Sequence, residues 1–247
     1  MTSVTKKKTV KSESPFFLIV VSFCVGIIAL IQNKYGMMSD IGNFYQMHFY
    51  DGQHIWPFSE KILKGETQIQ HPVEYPALTG LIMWLISFLV DPSRLALIEY
   101  YRITAIFQIF IFSICIYLIY KISGKKYAYY FIFAPAVLYS LNRNWDIWAI
   151  APMLFSILLF ERKNYGFSAI LLAISIATKF FPIVLILPVA IIFLRQKNYL
   201  AFIRYGVVTL VSWIFINLPF AMVNFKGWAY FYEFNAKRGL GLSLIHI

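Results

Sequence analysis

Long apolar blocks alternate with short polar segments along most of this sequence, and they limit what the chain can fold into. Of its 247 residues, 60% are hydrophobic and 13% are charged, whereas a typical soluble domain carries about 25% charged residues. Several blocks approach the ~20 residues that a helix needs to cross a bilayer. We therefore expect an all-α, polytopic integral membrane protein.

Seven blocks are predicted to be transmembrane helices, and an eighth is assigned differently. The predicted spans cover residues 15–33, 101–120, 127–142, 146–160, 165–179, 182–194 and 201–220. The eighth block, 78–90, is short and lies between Pro76 and the pair Asp91-Pro92. We expect it to form an interfacial or re-entrant helix in the first extracytoplasmic loop.

The lysine and arginine clusters decide this assignment. They lie at residues 6–11, 121–126, 162–163 and 195–204, and all four fall on one side only if 78–90 does not cross. Because cytoplasmic loops carry an excess of basic residues, we place the N-terminus in the cytoplasm and the protein in the plasma membrane.

The expected organisation has three parts. A basic cytoplasmic tail covers 1–14, and a transmembrane module covers 15–223 with a large extracytoplasmic loop at 34–100. The segment 224–247 is expected to be a further extracytoplasmic loop in which the sequence is truncated.

The net charge of +11 does not indicate nucleic-acid binding. The basic residues lie between apolar blocks, where they orient the spans and meet anionic lipid head groups. Cys24 and Cys115 fall inside apolar blocks and are read as small core residues. His48 and His54 with Asp51 match no metal-ligand spacing, so neither a metal nor a cofactor is expected.

Two motifs of the first loop carry candidate site residues. Asp40 follows the first span, so its carboxylate is expected at the membrane surface, where it would serve as a general base or as a solvated loop acid. In the segment 71–76, two prolines fix the backbone around Glu74 and Tyr75. Glu74 would orient a substrate hydroxyl, or the segment is a helix-entry turn without chemistry.

A second group of candidates lies between predicted spans. Arg143, Asn144 and Asp146 stand at a membrane boundary, where polar groups need partners or a wet cavity. Arg143 would hold a phosphate through its forked donors, and Asp146 is either a site residue or a helix N-cap. Lys179 either snorkels to the interface or binds an anion, and Arg238 is a further phosphate contact or a loop charge.

The order of several short motifs resembles that of the GT-C membrane glycosyltransferases. The closest likeness is to glycosyltransferase family 87, with its polyprenyl-phosphate-mannose-dependent mannosyltransferases. The motifs are Asp40-Ile41, Glu74-Tyr75-Pro76-Ala77-Leu78-Thr79-Gly80, Asn144-Trp145-Asp146, Lys179-Phe180-Phe181-Pro182, and Phe234-Asn235 with Arg238-Gly239.

This resemblance implies a specific reaction. The donor would be a polyprenyl-phosphate sugar, and the acceptor a glycolipid or cell-envelope glycan. Asp40 would be the base on the acceptor hydroxyl, and Lys179 would face the donor phosphate. Four further residues would line the site: Glu74, Arg143, Asp146 and Arg238. Mannose is implied by resemblance alone, and glucose and arabinose stay open.

Two other classes of function remain as alternatives. Charges at membrane depth and proline-broken spans also suit a transporter or a lipid flippase. However, the sequence contains no internal repeat that pairs two halves, and its polar residues gather at one face. A non-catalytic membrane scaffold is the third reading.

Overall fold

The computed structural model describes residues 14–32, 41, 54–59, 62–64, 68–70, 72–91 and 96–237. Within these residues the regular secondary structure is helical, except for one antiparallel pair of three-residue strands. The prediction of an all-α fold is therefore confirmed.

Ten α-helices are described, together with one 3₁₀ segment, Phe181–Leu185, which leads into α8. The helices are α1 (Phe16–Gln32), α2 (Ala77–Ser87), α3 (Ala96–Ser123), α4 (Lys125–Ile132), α5 (Pro135–Ser140), α6 (Asp146–Glu161), α7 (Tyr165–Thr178), α8 (Ile186–Arg195), α9 (Tyr199–Val223) and α10 (Phe225–Lys237). Strand β1 (Ile62–Lys64) pairs antiparallel with β2 (Gln68–Gln70), with Leu63 opposite Ile69.

Two of the described helices, α3 and α9, are long and apolar enough to cross a bilayer. In the most apolar stretch of each helix, 50% of the residues are buried in α3 and only 17% in α9. Helix α3 is therefore central in the bundle and α9 is peripheral. Large apolar side chains cover the outer surface of α9, and Phe215 and Met222 are each 77% exposed. An exposed apolar surface of this kind fits contact with lipid.

The predicted span 127–142 is wrong as a single helix. The structure divides it into α4 and α5 at Pro135. Pro135 has no backbone N–H, and its ring keeps the preceding Ala134 extended, with φ −64° and ψ 122°. The helix therefore stops and restarts.

Two segments outside the predicted spans are helical. The expected loop at 224–247 is helical from Phe225 to Lys237, because the side-chain oxygen of Asn224 accepts the N–H of Gly227 at 3.0 Å and so caps the first turn. The segment 78–90 forms the 11-residue helix α2, about half the length of a spanning helix.

Hydroxyl groups join the central helices. The Ser156 and Ser168 hydroxyls each donate to the other's backbone carbonyl at 2.8 Å, which binds α6 to α7. Ser22 of α1 donates to Ser113 of α3 at 3.1 Å. Small polar residues allow such close approach between helices in an apolar environment.

Of the two cysteines, Cys115 is buried as expected, but Cys24 is exposed on α1.

Two hydrogen bonds position the end of the bundle where the candidate site lies. The Thr79 hydroxyl donates to the Thr178 carbonyl, which fastens the first turn of α2 to the last turn of α7. The Ser175 hydroxyl donates to the Ala149 carbonyl at 2.7 Å, which fastens α7 to the first turns of α6. Residues before α2, before α6 and after α7 are thereby brought together.

Candidate functional site

An ion pair between Lys179 and Asp146 lies at the centre of this end of the bundle. Lys179 directly follows α7 in an extended conformation, and Asp146 is the first residue of α6. An acid at a helix N-terminus and a base at a helix C-terminus each complement the helix dipole. The lysine side chain is 27% exposed and the aspartate 35%, so the pair is accessible to a ligand.

The alternative that Asp146 caps its own helix is wrong. Its side chain makes no capping hydrogen bond, and the position before the helix is occupied by Trp145. Instead, the Asn144 side-chain oxygen accepts the Asp146 backbone N–H at 3.1 Å. Trp145 is fully buried and anchors the segment 144–146 in the core. The Asp146 carboxylate makes no cap and instead pairs with Lys179.

Tyr75 forms the second contact of the Lys179 ammonium. The ammonium nitrogen lies 5.4 Å from the centre of the Tyr75 ring, within the range of a cation–π interaction. Buried Pro76 follows Tyr75 and immediately precedes α2. Because proline restricts the backbone of its predecessor, the ring is held close to the end of α7.

Glu74 connects the site to α10. Burial raises the pKa of the Tyr230 hydroxyl, and the nearby Glu74 carboxylate raises that pKa further. This electrostatic effect requires Glu74 and Tyr230 to be close. The Glu74 side chain is otherwise exposed, so a carboxylate stands at the edge of the site.

Aromatic residues of α10 pack against the segment that follows Lys179. The Phe180 ring centre lies 6.5 Å from that of Phe231 and 6.3 Å from that of Tyr232. Burial raises the pKa of Tyr232 to about 12, so this phenol is neutral at physiological pH. Helix α10 therefore forms one wall of the site.

Arg143 lies in the short segment between α5 and α6. Its guanidinium carbon is 4.3 Å from the centre of the Tyr139 ring, a stacked arrangement that suits the flat guanidinium group. Four of the predicted residues are thus joined in one network by direct contact or adjacency: Glu74, Tyr75, Asp146 and Lys179. Asn144 supports it through Asp146, and Arg143 stands beside it.

Two predicted site residues, Asp40 and Arg238, lie outside the described residues. Ile41, which follows Asp40 in the sequence, is described and fully buried in the core that contains Met83 and Tyr100. Among the described residues, no group of three or more His, Cys, Asp or Glu side chains is arranged to hold a metal ion.

Sequence reasoning missed Gln108 of α3. The side chain is fully buried, and its amide bonds to the backbone on both sides of Arg143, at Asn142 and Asn144. The only signal in the sequence was a neutral amide inside an apolar span. Such a residue is costly in a membrane unless it is bonded.

A pocket of about 30 Å³ adjoins the site, which is room for about two or three water molecules at about 10–15 Å³ each. Its walls combine apolar and polar side chains from α3 to α6, namely Gln108, Phe131, Val137, Ser140, Leu141, Asn144, Asp146, Ile147 and Ile150. Asp146 therefore borders both Lys179 and a small, mostly apolar pocket.

Comparisons with known protein families, with curated proteins and with solved structures gave no match for this chain. A lysine ammonium carries three N–H donors and suits a phosphate group. Carboxylates at the same site are able to accept protons or orient hydroxyl groups. The site thus combines one ammonium donor with two carboxylates, Glu74 and Asp146.

Proposed function

We propose that this chain is a membrane-embedded group-transfer enzyme whose substrates carry a phosphate. More narrowly, we propose a glycosyltransferase that takes its sugar, mannose by resemblance, from a polyprenyl-phosphate donor. The observation that supports this most is the Lys179–Asp146 pair beside Tyr75, at the end of an apolar helical bundle. A lipid-linked phosphate rests at the depth where such a lysine can reach it.

In the proposed reaction, the acceptor hydroxyl attacks the anomeric carbon of the donor sugar. Asp40 takes the hydroxyl proton, and the bond from the anomeric carbon to the phosphate oxygen breaks. Lys179 and Arg143 stabilise the negative charge that grows on the leaving phosphate, which is usually the largest contribution of such a site. No cofactor is required, because the lipid-linked sugar is itself the substrate.

The remaining residues would line the substrate. Glu74 and Asp146 would orient sugar hydroxyls. Tyr75 and Asn144 would hold the neighbouring site residues in place. Arg238 would add a second phosphate contact. The acceptor is proposed to be a glycolipid or a cell-envelope glycan.

The proposed topology has seven spans, with the N-terminus in the cytoplasm and the site outside. In this arrangement α4 and α5 together make one crossing, and the 3₁₀ segment with α8 makes another. The 28- and 25-residue helices α3 and α9 would cross alone. The shorter helices would rely on tilt, local thinning of the bilayer or shielding by neighbours.

The proposal is tested by a transfer assay in membranes from cells that express the full gene. Radiolabelled polyprenyl-phosphate-mannose is supplied, and label transfer to an acceptor is compared for wild type, Asp40→Asn and Lys179→Met. Asp40→Asn is expected to reduce transfer by about 100-fold or more, the scale of losing a general base. Lys179→Met is expected to reduce it as well.

The matched control is Lys126→Met, because Lys126 also lies over a tyrosine ring, at 5.5 Å from the centre of Tyr130, but at the proposed cytoplasmic end. It is expected to transfer like wild type. Equal transfer by all variants would contradict the proposed roles. No transfer by wild type would contradict the proposal for this donor and favour a transporter or flippase, which a lipid-flipping assay then tests.

A further inference from the structure

Gln108 makes a two-sided contact with the segment that precedes Asp146. Its side-chain oxygen accepts the N–H of Asn142 at 3.0 Å, and its side-chain nitrogen donates to the carbonyl of Asn144 at 2.7 Å. These partners lie 34 and 36 residues along the chain. One buried amide thus holds the backbone on both sides of Arg143.

The backbone held by Gln108 has an unusual conformation. Asn142 has φ 65°, in the left-handed region, which is uncommon for residues other than glycine but is adopted by asparagine more readily than by most. Its side-chain nitrogen reaches the Gly26 carbonyl only at 3.5 Å. Its side-chain oxygen has no hydrogen-bond partner among the described residues. The shorter Gln108 bond is therefore the stronger long-range contact on this residue.

The contact continues to the ion pair. Asn144, which Gln108 holds by its carbonyl, accepts the N–H of Asp146 with its side chain at 3.1 Å. Asp146 in turn pairs with Lys179. Gln108, Asn144 and Asp146 also line the same pocket of about 30 Å³. A chain of bonded groups thus runs from the centre of α3 to the Lys179 ammonium.

We propose that Gln108 is a positioning residue that sets Asp146 in place to pair with Lys179. Its importance for catalysis rests on the proposed function, but its effect on the ion pair does not. Loss of the amide frees the 142–144 backbone, and the Asp146 carboxylate then moves away from the ammonium.

The acylation rate of Lys179 tests this directly. The purified chain in lipid nanodiscs is treated with a limiting amount of an amine-acylating reagent, and modification of Lys179 is followed by peptide mass spectrometry. The amine must lose its proton to react, and a carboxylate partner favours the protonated form. Asp146→Asn gives the rate of Lys179 acylation in the absence of the ion pair, and this rate is expected to be roughly twofold to fivefold above that of wild type. Gln108→Leu is expected to show the same raised rate. The double variant is expected to react no faster than either single one.

The matched control is Ser113→Ala, which removes a buried polar contact from the same helix but leaves the 142–144 segment untouched. It is expected to react like wild type. Wild-type reactivity in Gln108→Leu, with Asp146→Asn elevated, would overturn the proposal.

Gln108→Glu supplies a second test that does not depend on the leucine variant folding. A protonated carboxyl accepts with one oxygen and donates with the other, so it reproduces both bonds of the amide. The ratio of its Lys179 rate to the wild-type rate at each pH is expected to be near one in acid and to rise as the carboxyl ionises. A ratio already well above one in acid, where the protonated carboxyl makes both bonds, would overturn the proposal. Because no sugar transfer is measured, failure of the proposed function leaves both results interpretable.

Discussion

At the scale of single residues, Asp146 and Lys179 combine a partly exposed ion pair with a position between two helix ends. Pairs that are open to solvent contribute only about 0–1 kcal/mol to stability. A charged contact to a substrate is worth about 1.5–3 kcal/mol, which corresponds to roughly 10- to 100-fold in rate or affinity. The pair is therefore expected to matter more for activity than for folding.

This difference gives a testable prediction for Asp146→Asn. Thermal unfolding of the purified chain is expected to show a loss of at most about 1 kcal/mol, whereas mannosyl transfer falls by roughly tenfold or more. A large loss of stability with proportionate loss of transfer would instead make Asp146 a purely structural residue.

Tyr232 gives a prediction of pH dependence. Its folded-state pKa of about 12 lies above the ordinary value of about 10, so the unfolded chain ionises first as the pH rises. The stability that this residue contributes is present below about pH 10 and is lost between about pH 10 and pH 12. In Tyr232→Phe, the fall of the unfolding temperature over this window is expected to be smaller than in wild type. Identical pH profiles would contradict the prediction.

The sequence was more informative for charged residues than for buried neutral ones. Lys179 and Asp146 stand out because a charge inside or beside an apolar block needs a reason. Gln108 carries no charge, and its partners lie far away in the chain, so no local pattern indicated its role. The cation–π contact of Tyr75 likewise depends on packing that no spacing predicts.

At the scale of elements, the contact between α10 and the first loop depends on a glycine. A Cβ placed on Gly227 would lie 1.7 Å from the backbone oxygen of Phe58, so the helix and the loop touch backbone to backbone. Gly206 of α9 is also helical, but a Cβ there would meet no atom within 4 Å.

The two glycines therefore form a matched pair. Gly227→Ala is expected to destabilise the chain by about 1–3 kcal/mol, because the loop must move to admit the methyl group. Gly206→Ala is expected to be neutral or to stabilise by up to about 1 kcal/mol, because it only restricts the unfolded chain. Thermal unfolding of both variants in one detergent provides the comparison, and equal effects would contradict it.

Helix positions followed well from the apolar blocks, whereas interruptions did not. Helices α6 and α7 begin and end within a residue or two of the predicted 146–160 and 165–179. The break at Pro135 was missed because the apolar pattern runs through it. The helix α10 was missed because the prediction followed apolar blocks of spanning length, and this 13-residue helix is not one of them.

At the scale of the whole molecule, the proposed topology places the candidate site on one face. This topology is tested by labelling variants that each carry one introduced cysteine, in a background in which Cys24→Ser and Cys115→Ser remove the native thiols. In intact cells, a membrane-impermeant maleimide is expected to label Glu74→Cys and Glu233→Cys, but not Lys163→Cys or Lys197→Cys. Permeabilised cells are expected to label all four, and the opposite pattern in intact cells would reverse the topology.

Apolar lengths were enough to predict an all-α chain. They were not enough to predict which of the polar residues between the helices contact one another. Contacts such as Thr79 with Thr178 and Phe180 with Tyr232 join segments that are distant in sequence, and they depend on how the helices pack.

The proposed phosphate contact is tested most directly by the binding of polyprenyl phosphate to the purified chain in nanodiscs. Lys179→Met is expected to weaken this binding roughly 10- to 100-fold, the scale of one charged hydrogen bond, while the matched Lys126→Met is expected to bind like wild type. Equal affinity of wild type and Lys179→Met would contradict the proposal that Lys179 binds the donor phosphate.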